Sequence, residues 1–295
     1  MPMLGTRTAA VNNLKEKYLD RNSKFITVEG IKIHYRDEGI GPVLLLLHGV
    51  CSSLHTWDMW VKELGSYYRI IRIDLPGFGF SSGRDYSNIY DPVKGVEFMD
   101  KLIEALGLDK FFLVGNSIGG FISWRYTLKY PQKVDKLILI DPVGYNQQVP
   151  RIVKFASNPF IRPLARRVMP RFFFNMAVTQ VFGDQSKLTN EIKERYFKLA
   201  MYGRNKSAYV EFFTVMRKLC QSKDLSKGIN EITTQTMVMW GTEDKWIPYH
   251  YFRKWRKDLK NGTFIDYEGV GHTPMEEIPK QTANDAHKFL MGKSL

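Results

Sequence analysis

Short apolar runs recur along this chain with helical stretches between them, and that alternation restricts the fold more than any other feature. Val43-Leu44-Leu45-Leu46-Leu47 is almost continuously apolar, the pattern of a strand covered on both faces in a parallel sheet. Residues 69–74, 111–114, 134–140, 236–240 and 263–267 also read as strands. Residues 57–64, 93–106, the stretch that follows Gly120 through Tyr130, 249–259 and 282–291 read as helices, and in 93–106 the side chains Val96, Met99, Leu102, Ile103 and Leu106 share one face. Strands alternating with helices imply βαβ units, and therefore an α/β fold with a mostly parallel central sheet flanked by helices. Near the front, 25–28 and 31–35 surround Glu29-Gly30, a hairpin turn.

The alternation stops at about residue 146 and resumes at 236. The intervening pattern is helical and punctuated by Pro150, Pro159, Pro163 and Pro170. The simplest organisation is one α/β core, residues 1–145 and 236–295, split by a helical insertion over 146–235. Residues 1–22 form an N-terminal helical extension, with Val11, Leu14 and Tyr18 at helical spacing.

Gly115-Asn116-Ser117-Ile118-Gly119 matches G-x-S-x-G between a buried strand and a helix, the context that exposes a serine hydroxyl on a sharp turn. A serine there needs a base to remove its proton. Of six histidines, His272 follows the last strand in Gly271-His272-Thr273, so it reaches the same sheet edge as Ser117. His34 falls within a strand, and His250 and His287 fall in helical stretches, where structural or surface roles are the simpler reading. Asp244 follows the preceding core strand and is the candidate acid. Asp141, which also ends a strand, is its main rival, and Glu243 is a weaker one. The order Ser117, Asp244, His272 is nucleophile, acid, base. The oxyanion would be held by the backbone N–H groups of Ile118 and Val50. His48, Gly49, Cys51 and Asn116 are candidates to border the substrate pocket. Cys51 has no nearby feature to activate it, so a small packed side chain is the plainer reading.

His48-Gly49, Asp74-Leu75-Pro76-Gly77-Phe78-Gly79, Gly115 to Gly120, Gly241-Thr242-Glu243-Asp244 and Gly271-His272 together resemble the α/β-hydrolase superfamily, in its order and spacing from about Phe25 onward. Within it the chain resembles the capped esterase, lipase and meta-cleavage-product hydrolase branch. The resemblance implies that 146–235 is a helical cap over the active site, and that the Asp74 motif is a structural turn. Ser117 excludes relatives that attack with aspartate. Carbon–carbon bond hydrolysis of ring-cleavage products stays open. Against it, Val50-Cys51-Ser52-Ser53 replaces the glycine- and proline-rich stretch of those enzymes, and Thr273-Pro274 replaces their tryptophan after the histidine. Cleavage of carboxylic esters through an acyl-enzyme leads, with no metal or organic cofactor implied. A ligand-binding protein that keeps the same residues is a further alternative.

The net charge is +13, and 146–235 holds 16 Lys and Arg against six Asp and Glu. A basic pI alone does not make a nucleic-acid protein, and no recognition motif is present. In the insertion, Ile152, Phe155, Phe160, Ile161, Leu164, Val168, Met169 and Phe172-Phe173-Phe174 are interleaved with Arg151, Lys154, Arg162, Arg166, Arg167 and Arg171. The plain reading packs the apolar side on the core or around an acyl group and leaves the cations solvated. A sharper one lays this face on an anionic membrane, and an anionic substrate would use the same cations differently. No apolar run approaches the roughly 20 residues of a spanning helix, and residues 1–21 lack a continuous apolar segment. With two cysteines, Cys51 and Cys220, these features suggest a cytoplasmic protein acting on a small-molecule ester.

Overall fold

The structure, a computed structural model, describes residues 13–83 and 86–294. Eight strands form one sheet: β1 Ser23–Val28, β2 Ile31–Glu38, β3 Val43–Leu47, β4 Arg69–Ile73, β5 Phe111–Asn116, β6 Val134–Ile140, β7 Thr236–Gly241 and β8 Gly262–Tyr267. Their order is β1-β2-β4-β3-β5-β6-β7-β8. The β1–β2 hairpin pairs antiparallel through its two-residue turn, β2 pairs antiparallel with β4, and every later pairing is parallel.

The leucine run of β3 shows why both faces must be covered. Successive side chains of a strand point to opposite faces. Leu45 and Leu47 accordingly enter a core with Val96, Met99, Leu102 and Ile103, while Leu44 and Leu46 enter another with Trp57, Trp60, Ala286 and Leu290. Trp60 donates its indole N–H to Thr282 Oγ1 at 3.0 Å, which ties the two helices of the second layer together.

Helix ends depart from the sequence reading where prolines or tertiary contacts set them. The last long helix runs Pro279–Leu290, starting before Thr282 because proline fits a first helical turn. A short helix, Pro274–Glu277, precedes it. At the N-terminus residues 13–18 are helical, while Val11 lies outside the described residues.

After β4 the chain turns at Asp74, whose carboxylate accepts from Leu54 N–H at 2.7 Å and Phe80 N–H at 2.8 Å and lies 2.7 Å from His34 Nδ1. Burial works against its charge, yet the His34 ring and the Leu54 amide hold its carboxyl down at about 2. A fully buried carboxylate so engaged organises a turn and is not free for proton transfer.

Between β6 and β7 lie the helices Arg151–Ala156, Arg162–Ala165, Arg171–Thr179, Asn190–Ala200 and Asn205–Cys220. Thr189 caps the fourth by accepting from Ile192 N–H. Among the described residues, no helix is long and apolar enough to cross a membrane.

Candidate active site

Ser117 follows β5, Asp141 follows β6, Asp244 follows β7 and His272 follows β8. Because these strands are parallel neighbours, all four residues emerge at one edge of the sheet. Ser117 has φ 56° and ψ −116°, a region that costs a non-glycine residue on the order of 1–3 kcal/mol. The surroundings enforce it. The Ser117 N–H donates to Ile140 O at 2.9 Å, and its carbonyl accepts from Phe121 N–H and Val143 N–H. Glycine at 119 lets the helix Ile118–Lys129 close onto β3, since a Cβ there would lie 2.5 Å from the Leu47 carbonyl oxygen.

His272 Nδ1 lies 2.6 Å from Asp244 Oδ2. The other Asp244 oxygen accepts from Trp246 N–H at 2.7 Å and Ile247 N–H at 2.9 Å, which fixes the carboxylate plane. With Nδ1–H donated to the carboxylate, Nε2 carries the lone pair, and that atom is buried without a partner among the described residues. An imidazole held this way can take up a proton at Nε2. The Trp246 ring stacks on it at 6.2 Å and 15°. Asn116 Nδ2 donates to both Ile140 O and His272 O at 3.1 Å, joining the serine turn to the histidine loop.

Asp141 sits beside this pair, and ligand atoms of Asp141, Asp244 and His272 all lie within 4.8 Å of one another. Its Oδ1 accepts from Gly241 N–H at 3.0 Å. Burial, reinforced by the charge of Asp244, pushes the Asp141 carboxyl well above the usual carboxylate range. Of the two rivals read from the sequence, Asp244 therefore holds the imidazole, and Asp141 is a neighbour whose buried site favours the protonated form. Glu243 is not part of the contact.

Gly49 passes directly over the serine turn, where a Cβ would meet Asn116 Oδ1 at 2.6 Å and Ser117 Cβ at 3.1 Å. Val50 N–H has no backbone acceptor among the described residues, and Ile118, as first residue of its helix, has no carbonyl one turn back to bond. Both amides are free to donate to an oxyanion.

The placement of His48 corrects the sequence reading. Its ring is fully buried and does not border the cavity. Nε2 accepts from Leu75 N–H at 2.9 Å, and Nδ1 lies 2.7 Å from the Gly49 carbonyl. Burial depresses its pKa, the state in which one ring nitrogen accepts while the other donates. Because the Gly49–Val50 peptide is planar, anchoring its carbonyl also aims the Val50 N–H. Cys51 does border the cavity, and burial pushes its thiol well up, away from the nucleophilic thiolate.

Two further features were invisible in the sequence. The Glu277 carboxylate accepts from Gly183, Asp184 and Gly271 N–H groups at 3.0, 2.7 and 2.9 Å, and His272 N–H donates to Val181 O at 2.7 Å. The histidine loop is thereby clamped to the β6–β7 segment. Glu276 does similar work, taking donors from Tyr196, Thr56 and Arg195.

The cavity beside this edge measures about 110 Å³. Gly49, Val50, Cys51, Asn116 and His272 border it from the core, and Ile152, Phe155, Val168, Met169, Phe173 and Phe174 from the β6–β7 helices. Among the described residues, no lysine, arginine or carboxylate borders it.

A family model described as the alpha/beta hydrolase fold matches residues 42–279. The chain is similar to a 2-hydroxy-6-oxo-6-phenylhexa-2,4-dienoate hydrolase of Burkholderia cepacia, 27% identical and covering 85% of this chain and 90% of that protein. It is also similar to a solved bacterial membrane phospholipase A, 27% identical with a TM-score of 0.74, over 98% of this chain and 91% of that one. A solved putative lipase from Acinetobacter baumannii AYE, 24% identical with a TM-score of 0.77 over 97% and 95% of the two chains, shares the fold.

Proposed function

This chain belongs to the alpha/beta hydrolase fold family, and from that premise we propose that it is a serine hydrolase of carboxylic esters. Ser117 Oγ attacks the ester carbonyl while His272 Nε2 takes its proton. The Val50 and Ile118 amides stabilise the oxyanion, and Asp244 holds the imidazole tautomer and the imidazolium that forms. His272 then gives the proton to the departing alcohol and activates a water, which releases the acid and restores Ser117. The segment 146–235 is the cap that supplies the acyl side of the cavity and excludes water.

Carbon–carbon hydrolysis is the second reading, because the Burkholderia relative is named for a dienoate. The observation that favours esters is the cavity wall. A dienoate carries a carboxylate, and burying one without a cation to pair with it is costly. Among the described residues no lysine or arginine borders this cavity, whose unpartnered side-chain donors, Tyr209 Oη and Trp246 Nε1, are neutral, and the nearby Arg195 is already engaged by Glu276 and the His55 carbonyl. A neutral ester meets no such cost.

The test is turnover of p-nitrophenyl esters from acetate to palmitate, beside a 2-hydroxy-6-oxo-dienoate. A cavity of about 150 Å³ accommodates benzene, so 110 Å³ suits chains of a few carbons when the ester is dissolved in water. Butyrate and hexanoate should outrun palmitate, and the dienoate should be the poorest substrate. Faster cleavage of the dienoate than of every ester would reverse the assignment.

A further inference from the structure

The apolar and basic residues of 151–173 do not divide into a buried side and a solvated side, as the plainer sequence reading had them. Several of both share the exposed surface. Phe160 is 94% exposed, Phe172 73% and Leu164 63%, with Phe155, Val168 and Phe173 also exposed. Phe155 stacks on Phe173 at 6.2 Å, and Phe172 meets Phe173 edge-on at 5.7 Å, so three of these rings form a continuous patch. Phe155, Val168 and Phe173 belong at once to this surface and to the cavity wall. The apolar patch is the mouth of the active-site cavity.

The charge around that mouth is mostly positive. Arg151, Lys154, Arg162, Arg166, Arg167 and Arg171 lie in a stretch, from Pro142 to Gly183, that contains no Asp or Glu. Arg166 and Arg171 find carboxylates on other helices, Glu211 and Glu194. Arg151, Lys154, Arg162 and Arg167 have no ion-pair partner among the described residues. Apolar rings set among unpaired cations match a surface with anionic headgroups over hydrocarbon. A second copy of this chain is a poor match, since a two-fold interface sets a patch against itself and would bring cations against cations.

Resting on the ester-hydrolase reading, we propose that this face docks on an anionic phospholipid bilayer and that the substrate is an acyl ester of the membrane lipid, entering between Phe155, Val168 and Phe173. The cavity has room for the carbonyl end and the first carbons of a long chain, and the rest of the chain stays on the phenylalanine patch and in the bilayer. The ester cleaved by Ser117 is then presented without the whole lipid leaving the membrane.

The test uses the full chain carrying Ser117→Ala, so that lipid is not consumed, with vesicles of phosphatidylcholine alone or with about one-third phosphatidylglycerol. Several unpaired basic residues near such a surface add to its attraction, so the mixed vesicles should bind at least about tenfold tighter, and high salt should erase the difference. Combining Arg151→Gln, Lys154→Gln and Arg167→Gln should remove the preference for phosphatidylglycerol. Combining Phe160→Ala and Phe172→Ala, neither of which borders the cavity, should weaken binding to both vesicles. With Ser117 restored, both sets should keep parental turnover of a water-soluble ester, which shows that they fold. Equal binding to the two vesicles, or unchanged binding in both sets, overturns the docking face while soluble-ester turnover still stands. Vesicle binding by a parent that turns over no ester would overturn the hydrolase reading instead.

Discussion

Substitution of Ser117 by alanine should lower kcat/KM for p-nitrophenyl esters by at least about 10⁴-fold, since removal of a serine nucleophile costs nearly all of the catalysis that its triad provides. The change should leave unfolding almost untouched, because Ser117 is held by its backbone. Its N–H bonds Ile140 O and its carbonyl serves Phe121 and Val143, and alanine keeps all three bonds. Alanine must still adopt φ 56°, so any change in stability will come from that strain. The comparison is made by steady-state kinetics and urea unfolding on the same preparations. Activity within about tenfold of the parent would place the nucleophile elsewhere.

The second large effect separates two buried aspartates. Asp244→Asn should lower kcat about 10⁴-fold, because the amide neither stabilises the imidazolium nor selects the tautomer with Nε2 unprotonated. Asp141→Asn should change kcat by less than about tenfold. A protonated carboxyl and a carboxamide are close in shape and each offers both a donor and an acceptor, so the variant can still accept from Gly241 N–H. The pH dependence of stability gives an independent reading. Between the ordinary carboxylate pKa of about 4 and its raised folded value, Asp141 holds a proton in the folded protein that the unfolded chain releases. Its contribution therefore weakens as pH rises through that window. The Asp141→Asn variant has no such proton, so in urea unfolding its stability relative to the parent should increase as pH rises above the ordinary carboxylate pKa of about 4. A constant difference would mean that Asp141 ionises normally.

Much of the frame is legible in local residues. The Val43–Leu47 run announces a strand buried on both faces because neither face carries a polar residue, and the sheet splits its side chains between two cores. The serine turn is legible because its glycines and flanking elements are contiguous. Other features depend on contacts between distant parts of the chain. Nothing beside Glu277 in the sequence says that it will collect amides of Gly183, Asp184 and Gly271. His48 reads as a pocket residue until Leu75 and the Gly49 carbonyl occupy its two nitrogens. The rings of Phe172, Phe173 and Phe174 are alike in sequence, yet Phe172 is exposed and Phe174 buried. Their helix places successive residues about 100° apart, and only its packing decides which ring faces the core. The helix ends moved for a related reason, as Pro279 shows by opening a helix that apolar spacing alone would begin later.

The most direct measurement is reaction of the folded protein with a fluorophosphonate ester, which phosphonylates an activated serine, followed by intact mass and peptide mapping. The account predicts one adduct per chain, on Ser117, formed together with loss of ester turnover and absent from the Ser117→Ala and His272→Ala proteins. An adduct on another residue, such as Cys51, or complete inactivation with Ser117 unmodified, would contradict it.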